Sequence, residues 1–149
     1  MPTFDLSNPV ILREIIMDHY SNPRNKKEVN DPSFVSVHMD SASCIDDIYI
    51  QIKFDKDVIK EVYWHGEGCA ISTASTSIMS ELILNKTIKE AKEIIQNFYN
   101  MLESKEFDHD LLDEAICFIN VNKQPSRITC ANISYRGLEK IFDSLKGKK

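Results

Sequence analysis

The stretch "DIYIQIKFDKDVIKEVYWHG" (residues 47–66) decides the fold. Its first nine residues alternate between apolar and polar side chains, which places Ile48, Ile50, Ile52 and Phe54 on one face. A period of two residues is typical of a β-strand that has one buried face. Because "DKD" supplies a turn and a second apolar-rich run follows it, the stretch predicts a β-hairpin.

Elements on both sides of the hairpin complete the prediction of an α+β fold. "SFVSVHMDS" (residues 33–41) predicts a third strand, so we expect a three-stranded antiparallel sheet with helices packed on one face, in one domain over residues 1–149. Apolar residues at helical spacing predict those helices. They are "SNPVILREIIMDHY" (7–20), "AISTASTSIMSELIL" (70–84), "TIKEAKEIIQNFYNMLE" (87–103), a shorter helix that starts at Asp110 and runs through "LLDEAICFI" (111–119), and a last helix that Cys130 opens.

Composition narrows the class of protein. The 149 residues are 42% hydrophobic and carry a net charge of -5 that is spread along the chain, which argues against duplex nucleic acid as a partner. No apolar run approaches the roughly 20 residues of a membrane span. The N-terminus has neither the basic segment nor the apolar segment of a signal peptide, so we expect a cytoplasmic protein with reduced thiols.

Three of the four cysteines fall at boundaries between predicted elements. Cys44 precedes the best strand, Cys69 follows the hairpin, and Cys130 opens the last helix. Thiols at helix N-termini have a lowered pKa, which populates the thiolate that attacks sulfur and binds metals. Cys117 lies instead in an apolar helical run, where a small buried hydrophobic residue is the expected role.

The residues around Cys69 predict a sharp bend. Gly66 and Gly68 flank a glutamate directly before it, and glycine adopts backbone angles that other residues resist. The bend would present Cys69 at the tip of the domain. A metal site there would gather its ligands through the fold, because the chain has no C-x-x-C pair; Asp46 would add a carboxylate to complete a tetrahedral set.

Four segments together resemble a known family. "ILREIIMDHYSNPRN", "SASCIDD", "GEGCAISTASTSIM" and "PSRITCANISYRGLEK" are similar, in this order from about Val10 to Phe142, to the U-type iron–sulfur cluster assembly proteins. That family comprises the N-terminal domain of NifU, IscU and SufU, and the resemblance implies a SufE/NifU-like fold.

Within the family the chain resembles the SufU branch. The segment between Cys69 and Cys130 is long, and it reads "NVNKQPSRITC" where IscU proteins carry Leu-Pro-Pro-Val-Lys. Thr129 stands where IscU has a histidine, and Arg127 matches an arginine of the SufU pattern.

The resemblance implies the ligands and the partners. The family's ligand positions become Cys44, Asp46, Cys69 and Cys130, which hold zinc in SufU-like proteins, whereas the cysteines build a [2Fe–2S] cluster in IscU-like ones. It also implies a cysteine desulfurase partner, SufS-like or IscS/NifS-like, and delivery to a cluster scaffold or to apoproteins. Proteins of this family have the sequence Cys-Gly-Asp at this point, whereas this chain has Ile45 between Cys44 and Asp46. Because the missing glycine could change the position of Asp46, Asp47 is an alternative ligand.

Three functional hypotheses follow. The leading one is a zinc-bound sulfur acceptor, with Cys44 as the acceptor because it lies in a loop and Arg127 as the cation that offsets the thiolate charge. The second is a scaffold that assembles a [2Fe–2S] cluster and passes it to apoproteins. The third is a zinc-stabilised interaction module without sulfur chemistry. A relay protein or a scaffold is not a typical enzyme, so enzymatic status stays open.

Two histidines are interpreted as lying outside the site. His65 is interpreted as a surface residue at a strand end, and His19 as a packing residue of the first helix.

Overall fold

The computed structural model describes residues 8–40 and 45–146. Within these ranges five α-helices and three strands follow one another along the chain. Their bounds are α1 Pro9–Ser21, β1 Val35–Asp40, β2 Asp47–Asp55, β3 Val58–Glu67, α2 Ala70–Leu82, α3 Ile88–Leu102, α4 His109–Leu112 and α5 Pro125–Lys146.

The three strands form the predicted antiparallel sheet, in the order β1-β2-β3. In its centre Ile50 pairs with Val37 of β1 and Trp64 of β3. Ile48, Ile50 and Ile52 are fully buried, as their alternation predicts. A register irregularity between Lys53 and Phe54 ends the strict alternation, and the side chain of Phe54 is half-buried.

Helices pack on the inner face of this sheet. α2 packs between α1 and α5, and α5 lies across β1 and β2. Gly137 permits that close approach, because a Cβ atom there would stand 2.9 Å from Cδ1 of Ile50. α2 is rich in small residues, and all of its residues from Ser72 to Ser80 are buried. Small buried side chains let neighbouring helices approach closely, which fits a helix at the centre of the helical layer.

Two helices begin with the predicted caps. The side chain of Asn8 accepts a hydrogen bond from the N–H of Val10, and Pro9 occupies the first turn of α1. Thr87 and Glu90 form a reciprocal capping box at the start of α3. These local signals fix where both helices start.

The segment between α3 and α5 differs from the prediction of one short helix through residues 111–119. α4 ends after one turn, because Asp113 adopts φ 46° and ψ -124°, which an α-helix cannot continue. Two 3₁₀ segments follow, over Asp113–Phe118 and Val121–Lys123. The apolar residues of the first are buried, so the break turns them toward the core.

The loop after α1 lies along the sheet and does not project from it. Gln51 of β2 exchanges two hydrogen bonds with the backbone of Val29, and the indole N–H of Trp64 donates to the carbonyl of Arg24. The backbone of Trp64 also bonds to Asn25 and Lys27.

In the described part of the chain, no helix is both long enough and apolar enough to span a membrane.

Candidate metal centre

Cys69 is the N-cap residue of α2, as the sequence predicts. Its backbone is extended, with φ -70° and ψ 174°, and its Sγ accepts a hydrogen bond from the N–H of Ser72 at 3.5 Å. A sulfur in this position takes the place of the Ser or Asp oxygen that usually caps a helix. The thiol therefore faces unpaired N–H groups and the positive end of the helix dipole.

The two glycines before Cys69 have different functions. Gly66 adopts φ +122°, and a Cβ there would stand 2.1 Å from the carbonyl oxygen of Asp47. Gly66 alone thus supplies the predicted bend. Gly68 has no left-handed backbone; it leaves space, since a Cβ there would stand 2.3 Å from Oγ of Ser72.

Asp46 directs its carboxylate toward Cys69. The residue is 2% exposed and directly precedes β2. Its Oδ1 accepts hydrogen bonds from the Cys69 N–H at 3.1 Å and from the Ser72 hydroxyl at 2.6 Å. Its Oδ2 is buried and has no hydrogen-bond partner among the described residues. A buried carboxylate oxygen without a hydrogen-bond partner is costly, so a cation bound at this atom would be favourable.

Cys130, from α5, is the third residue of the described cluster. The residue is 1% exposed and lies in the second turn of α5, because that helix begins at Pro125. The prediction that Cys130 opens the last helix is therefore wrong. Its side chain projects from the second turn of the helix and not from the helix N-terminus.

The three residues converge on one point. Asp46, Cys69 and Cys130 each place a ligand atom within 4.8 Å of the other two. Two sulfurs on one tetrahedral zinc are about 3.8 Å apart, because each Zn–S bond is about 2.3 Å long. The donor types of the cluster suit zinc, and the 4.8 Å limit on its spacing is compatible with ligands of one ion. None of the cysteines in the described residues is in a disulfide.

Cys44, the fourth predicted ligand, lies outside the described residues, and its role stays a prediction. Ile45 beside it is 73% exposed. Asp47, the alternative ligand, faces the outer side of the sheet, where its carboxylate contacts Nε2 of His38. Asp46, and not Asp47, is thus the carboxylate that faces the cysteines.

Hydrogen bonding adjusts the acidity of Cys69. Burial raises the pKa of this thiol and the Asp46 carboxylate acts in the same direction, but the hydrogen bond from the Ser72 N–H, the contact with the Ser72 side chain and the contact with Cys130 outweigh both, so the pKa is lowered. Cys117 is the opposite case: burial raises the pKa of its thiol well above the usual value, and the side chain is only 4% exposed. Cys117 is therefore the small buried residue that the sequence predicts.

Arg127 lies three residues before Cys130 in the chain. The residue is exposed in the first turn of α5, and among the described residues its guanidinium forms no ion pair with Asp46. It lines a cavity of about 340 Å³ with Arg13 and apolar residues of α1 and α2. Its role as a compensating cation stays a prediction.

The histidines are outside the cluster. His65 stacks on Tyr49 at 4.7 Å on the outer face of the sheet, and Tyr49 stacks on His38 at 4.2 Å. His19 is fully buried; its Nδ1 contacts the Ser77 hydroxyl and its Nε2 contacts Glu114. The interpretation of His19 as a satisfied packing residue is confirmed.

Sequence reasoning missed Ser72. This residue contacts Asp46 through its hydroxyl and Cys69 through its N–H. Its bond to Cys69 has no sequence signal, because any residue three positions after an N-cap offers the same backbone N–H. Its contact with Asp46 crosses 26 residues of sequence and has no local signature.

Comparison with known proteins shows what the chain is similar to. A sequence profile described as the NifU-like N terminal domain matches residues 11–131. The zinc-dependent sulfurtransferase SufU of Bacillus subtilis is 38% identical over 139 residues, covering 93% of each chain. The iron–sulfur cluster assembly scaffold protein IscU of Streptococcus pyogenes is 30% identical over 126 residues, covering 84% of this chain and 78% of the other.

A solved structure supports the fold. The crystal structure of a proposed iron–sulfur cluster assembly scaffold protein for the SUF system, from Fervidobacterium islandicum, superposes with a TM-score of 0.75 at 38% identity. The match covers 85% of this chain and 92% of the other.

Proposed function

The chain belongs to the NifU-like N-terminal domain family, and from this premise we propose that it is an iron–sulfur cluster assembly protein that accepts sulfur from a cysteine desulfurase. The observation that carries the proposal is the convergence of two buried residues, Asp46 and Cys130, with the half-buried Cys69, from three separate places in the chain. The similarity to a zinc-dependent sulfurtransferase supports the choice of sulfur transfer.

The donor set fits zinc. Cys69, Cys130 and Asp46 would supply three ligands, and Oδ2 is the Asp46 oxygen that no hydrogen bond from the described residues occupies. Two residues of chain span up to about 7 Å, so covalent geometry permits Cys44 to supply the fourth. Zinc has no redox chemistry, and when bound it keeps its cysteine ligands deprotonated.

The sulfur step needs only a thiolate of this chain. The Cys44 thiolate attacks the outer sulfur of the desulfurase persulfide, so a new S–S bond forms and the persulfide S–S bond breaks. The electron pair leaves with the desulfurase thiolate, the proton stays on the transferred sulfur, and no net oxidation occurs. A reducing compartment such as the cytoplasm suits this reaction, because thiols persist there as thiols.

Assembly of a [2Fe–2S] cluster is the second candidate. Thiolates bind iron as well as zinc, and the match to a scaffold protein IscU favours this reading. Against it, no histidine nitrogen joins the Asp46–Cys69–Cys130 group in the described ranges. A cluster would then have a carboxylate as its remaining ligand.

The test combines metal content with sulfur transfer. Purified protein should contain one equivalent of zinc, lack visible absorbance, accelerate a SufS-like desulfurase, and gain one sulfur atom by mass spectrometry. Cys44→Ala should lose the sulfur adduct. Cys117→Ala is the matched control, since its buried thiol lies outside the cluster, and it should keep zinc and activity.

Each alternative has its own outcome. Iron, sulfide and visible absorbance in the purified protein would identify the scaffold. A protein that holds zinc yet neither accepts sulfur nor accelerates any desulfurase would instead be an interaction module, and the sulfur-transfer proposal would be wrong.

A further inference from the structure

We propose that Ser72 is a positioning residue for the metal, because it holds Asp46 so that only one carboxylate oxygen faces the site. The inference rests on the proposed function, since it concerns the same zinc site. Ser72 is not a ligand in this proposal; it is a buried residue that supports one.

The hydroxyl of Ser72 has one hydrogen, and Asp46 is its acceptor. Ser72 is fully buried in the first turn of α2. Its Oγ stands 2.6 Å from Oδ1 of Asp46 and 3.2 Å from the carbonyl oxygen of Cys69. A short bond to an ionised acceptor is the stronger one, so the hydrogen goes to the carboxylate.

The two oxygens of Asp46 therefore have different roles. Oδ1 accepts from both the Ser72 hydroxyl and the Cys69 N–H, at 2.6 and 3.1 Å. Oδ2 is buried without a hydrogen-bond partner among the described residues. A carboxylate fixed in this way offers one oxygen to a cation and cannot rotate to offer both.

Ser72 also contacts a second ligand. Its N–H donates to Sγ of Cys69 at 3.5 Å, so one residue fixes the carboxylate through its side chain and the thiolate through its backbone. Gly68 leaves the space for this arrangement, because a Cβ there would stand 2.3 Å from Oγ of Ser72 and 3.1 Å from Oδ1 of Asp46. Loss of the hydroxyl would remove the carboxylate contact and keep the backbone contact.

The test is the zinc affinity of Ser72→Ala, measured by competition with a chromophoric chelator. Partners of metal ligands typically contribute 10–100-fold in affinity, so we expect zinc binding to weaken by about tenfold or more. The visible spectrum of the Co²⁺-substituted protein should change as well, since Asp46 is free to alter its coordination. Ser80→Ala is the matched control: Ser80 is buried in the same helix and donates to the carbonyl of Ser77, away from the site.

A double-mutant cycle separates positioning from general stability. If Ser72 acts through Asp46, the effect of Ser72→Ala on zinc affinity should fall below about twofold in an Asp46→Ala background. A Ser72→Ala protein that binds zinc as the wild type does overturns the proposal. So does an equal loss of affinity with and without Asp46.

A second pair of variants covers the case in which Ser72→Ala does not fold. Ser72→Thr and Ser72→Val have nearly the same shape, and only the first keeps a hydroxyl. The Ser72→Thr protein should bind zinc about tenfold more tightly than the Ser72→Val protein, and equal affinities would overturn the proposal. A wild-type protein that binds zinc but transfers no sulfur would contradict the proposed function and leave this result intact.

Discussion

The N–H of Cys69 donates to Oδ1 of Asp46 at 3.1 Å, across 23 residues of sequence. This bond joins the start of α2 to the start of β2, and it brings a capping thiol and a buried carboxylate to the same point. The hairpin between them returns the chain to where it began, because Asp47 pairs with Glu67 at the end of β3. The β2–β3 hairpin thus brings Asp46, which precedes it, close to Cys69, which follows it.

Gly66→Ala should destabilise the protein strongly. Its backbone is left-handed, and the new Cβ would stand 2.1 Å from the carbonyl oxygen of Asp47, which cannot move without breaking the sheet. We expect a loss of about 2–4 kcal/mol in the free energy of unfolding, measured with urea. Gly137→Ala is the comparison, because its Cβ would meet the flexible end of Ile50 at 2.9 Å and its helix gains from alanine. Equal losses for the two variants would contradict this account of Gly66.

The acidity of Cys69 should appear in the zinc-free protein. Hydrogen bonds lower the pKa of this thiol below its ordinary value of 9.0, so its thiolate should form at lower pH than a free thiol does. Alkylation by iodoacetamide, followed against pH in a Cys44→Ala protein, should therefore have its midpoint below pH 9. A midpoint at or above that of a model thiol would contradict the hydrogen-bonding argument.

The lowered pKa of Cys69 should also make the stability of the zinc-free protein depend on pH. A group whose pKa is lowered by folding stabilises the folded state above the unfolded pKa, and this contribution is lost as pH falls through the folded pKa. Zinc-free protein should thus gain stability from Cys69 toward pH 9 and lose it below the folded value. Urea unfolding of the wild type and Cys69→Ser over this range should diverge toward high pH; parallel curves would argue against the shift.

Thr87→Ala should weaken the start of α3. The threonine hydroxyl accepts from the N–H of Glu90, and the Glu90 carboxylate accepts from the N–H of Thr87. Loss of an N-cap costs about 1 kcal/mol, which a urea titration can measure. Thr87→Ser keeps the hydroxyl and serves as the control, so a loss of similar size for both variants would show that the cap is not the cause.

Removal of zinc should loosen the site without unfolding the domain. The core residues of the sheet and helices are apolar and buried independently of the cluster, so far-UV circular dichroism should persist after chelation. The melting temperature should fall, because a ligand that binds only the folded state stabilises it by mass action. Collapse of the dichroism on chelation would favour a zinc-stabilised module.

The sequence predicts the sheet and two helix starts because those signals are local, whereas the proposed ligand set follows from the family resemblance. Alternation at Ile48, Ile50 and Ile52 fixes which face of β2 is buried, and the capping residues Asn8 and Thr87 mark two helix starts. Each signal depends on a few neighbouring residues and on backbone geometry that is the same in every fold.

Three features were not predicted, and the causes of two of them are distant or unusual. The turn at Asp113 has a positive φ without a glycine, and the burial of the 3₁₀ residues after it supports that conformation. The early start of α5 had a signal in Pro125, which suits the first position of a helix. The contact of Ser72 with Asp46 depends on how α2 docks beside β2, which no local pattern encodes.

X-ray absorption at the zinc edge tests the central claim most directly, because it counts the atoms bound to one ion. We predict three sulfur atoms at about 2.3 Å and one oxygen atom at about 2.0 Å, with one sulfur lost in each of Cys69→Ser and Cys130→Ser. A shell of nitrogen and oxygen atoms alone, or an unchanged spectrum in both serine variants, would show that these residues do not hold a common metal.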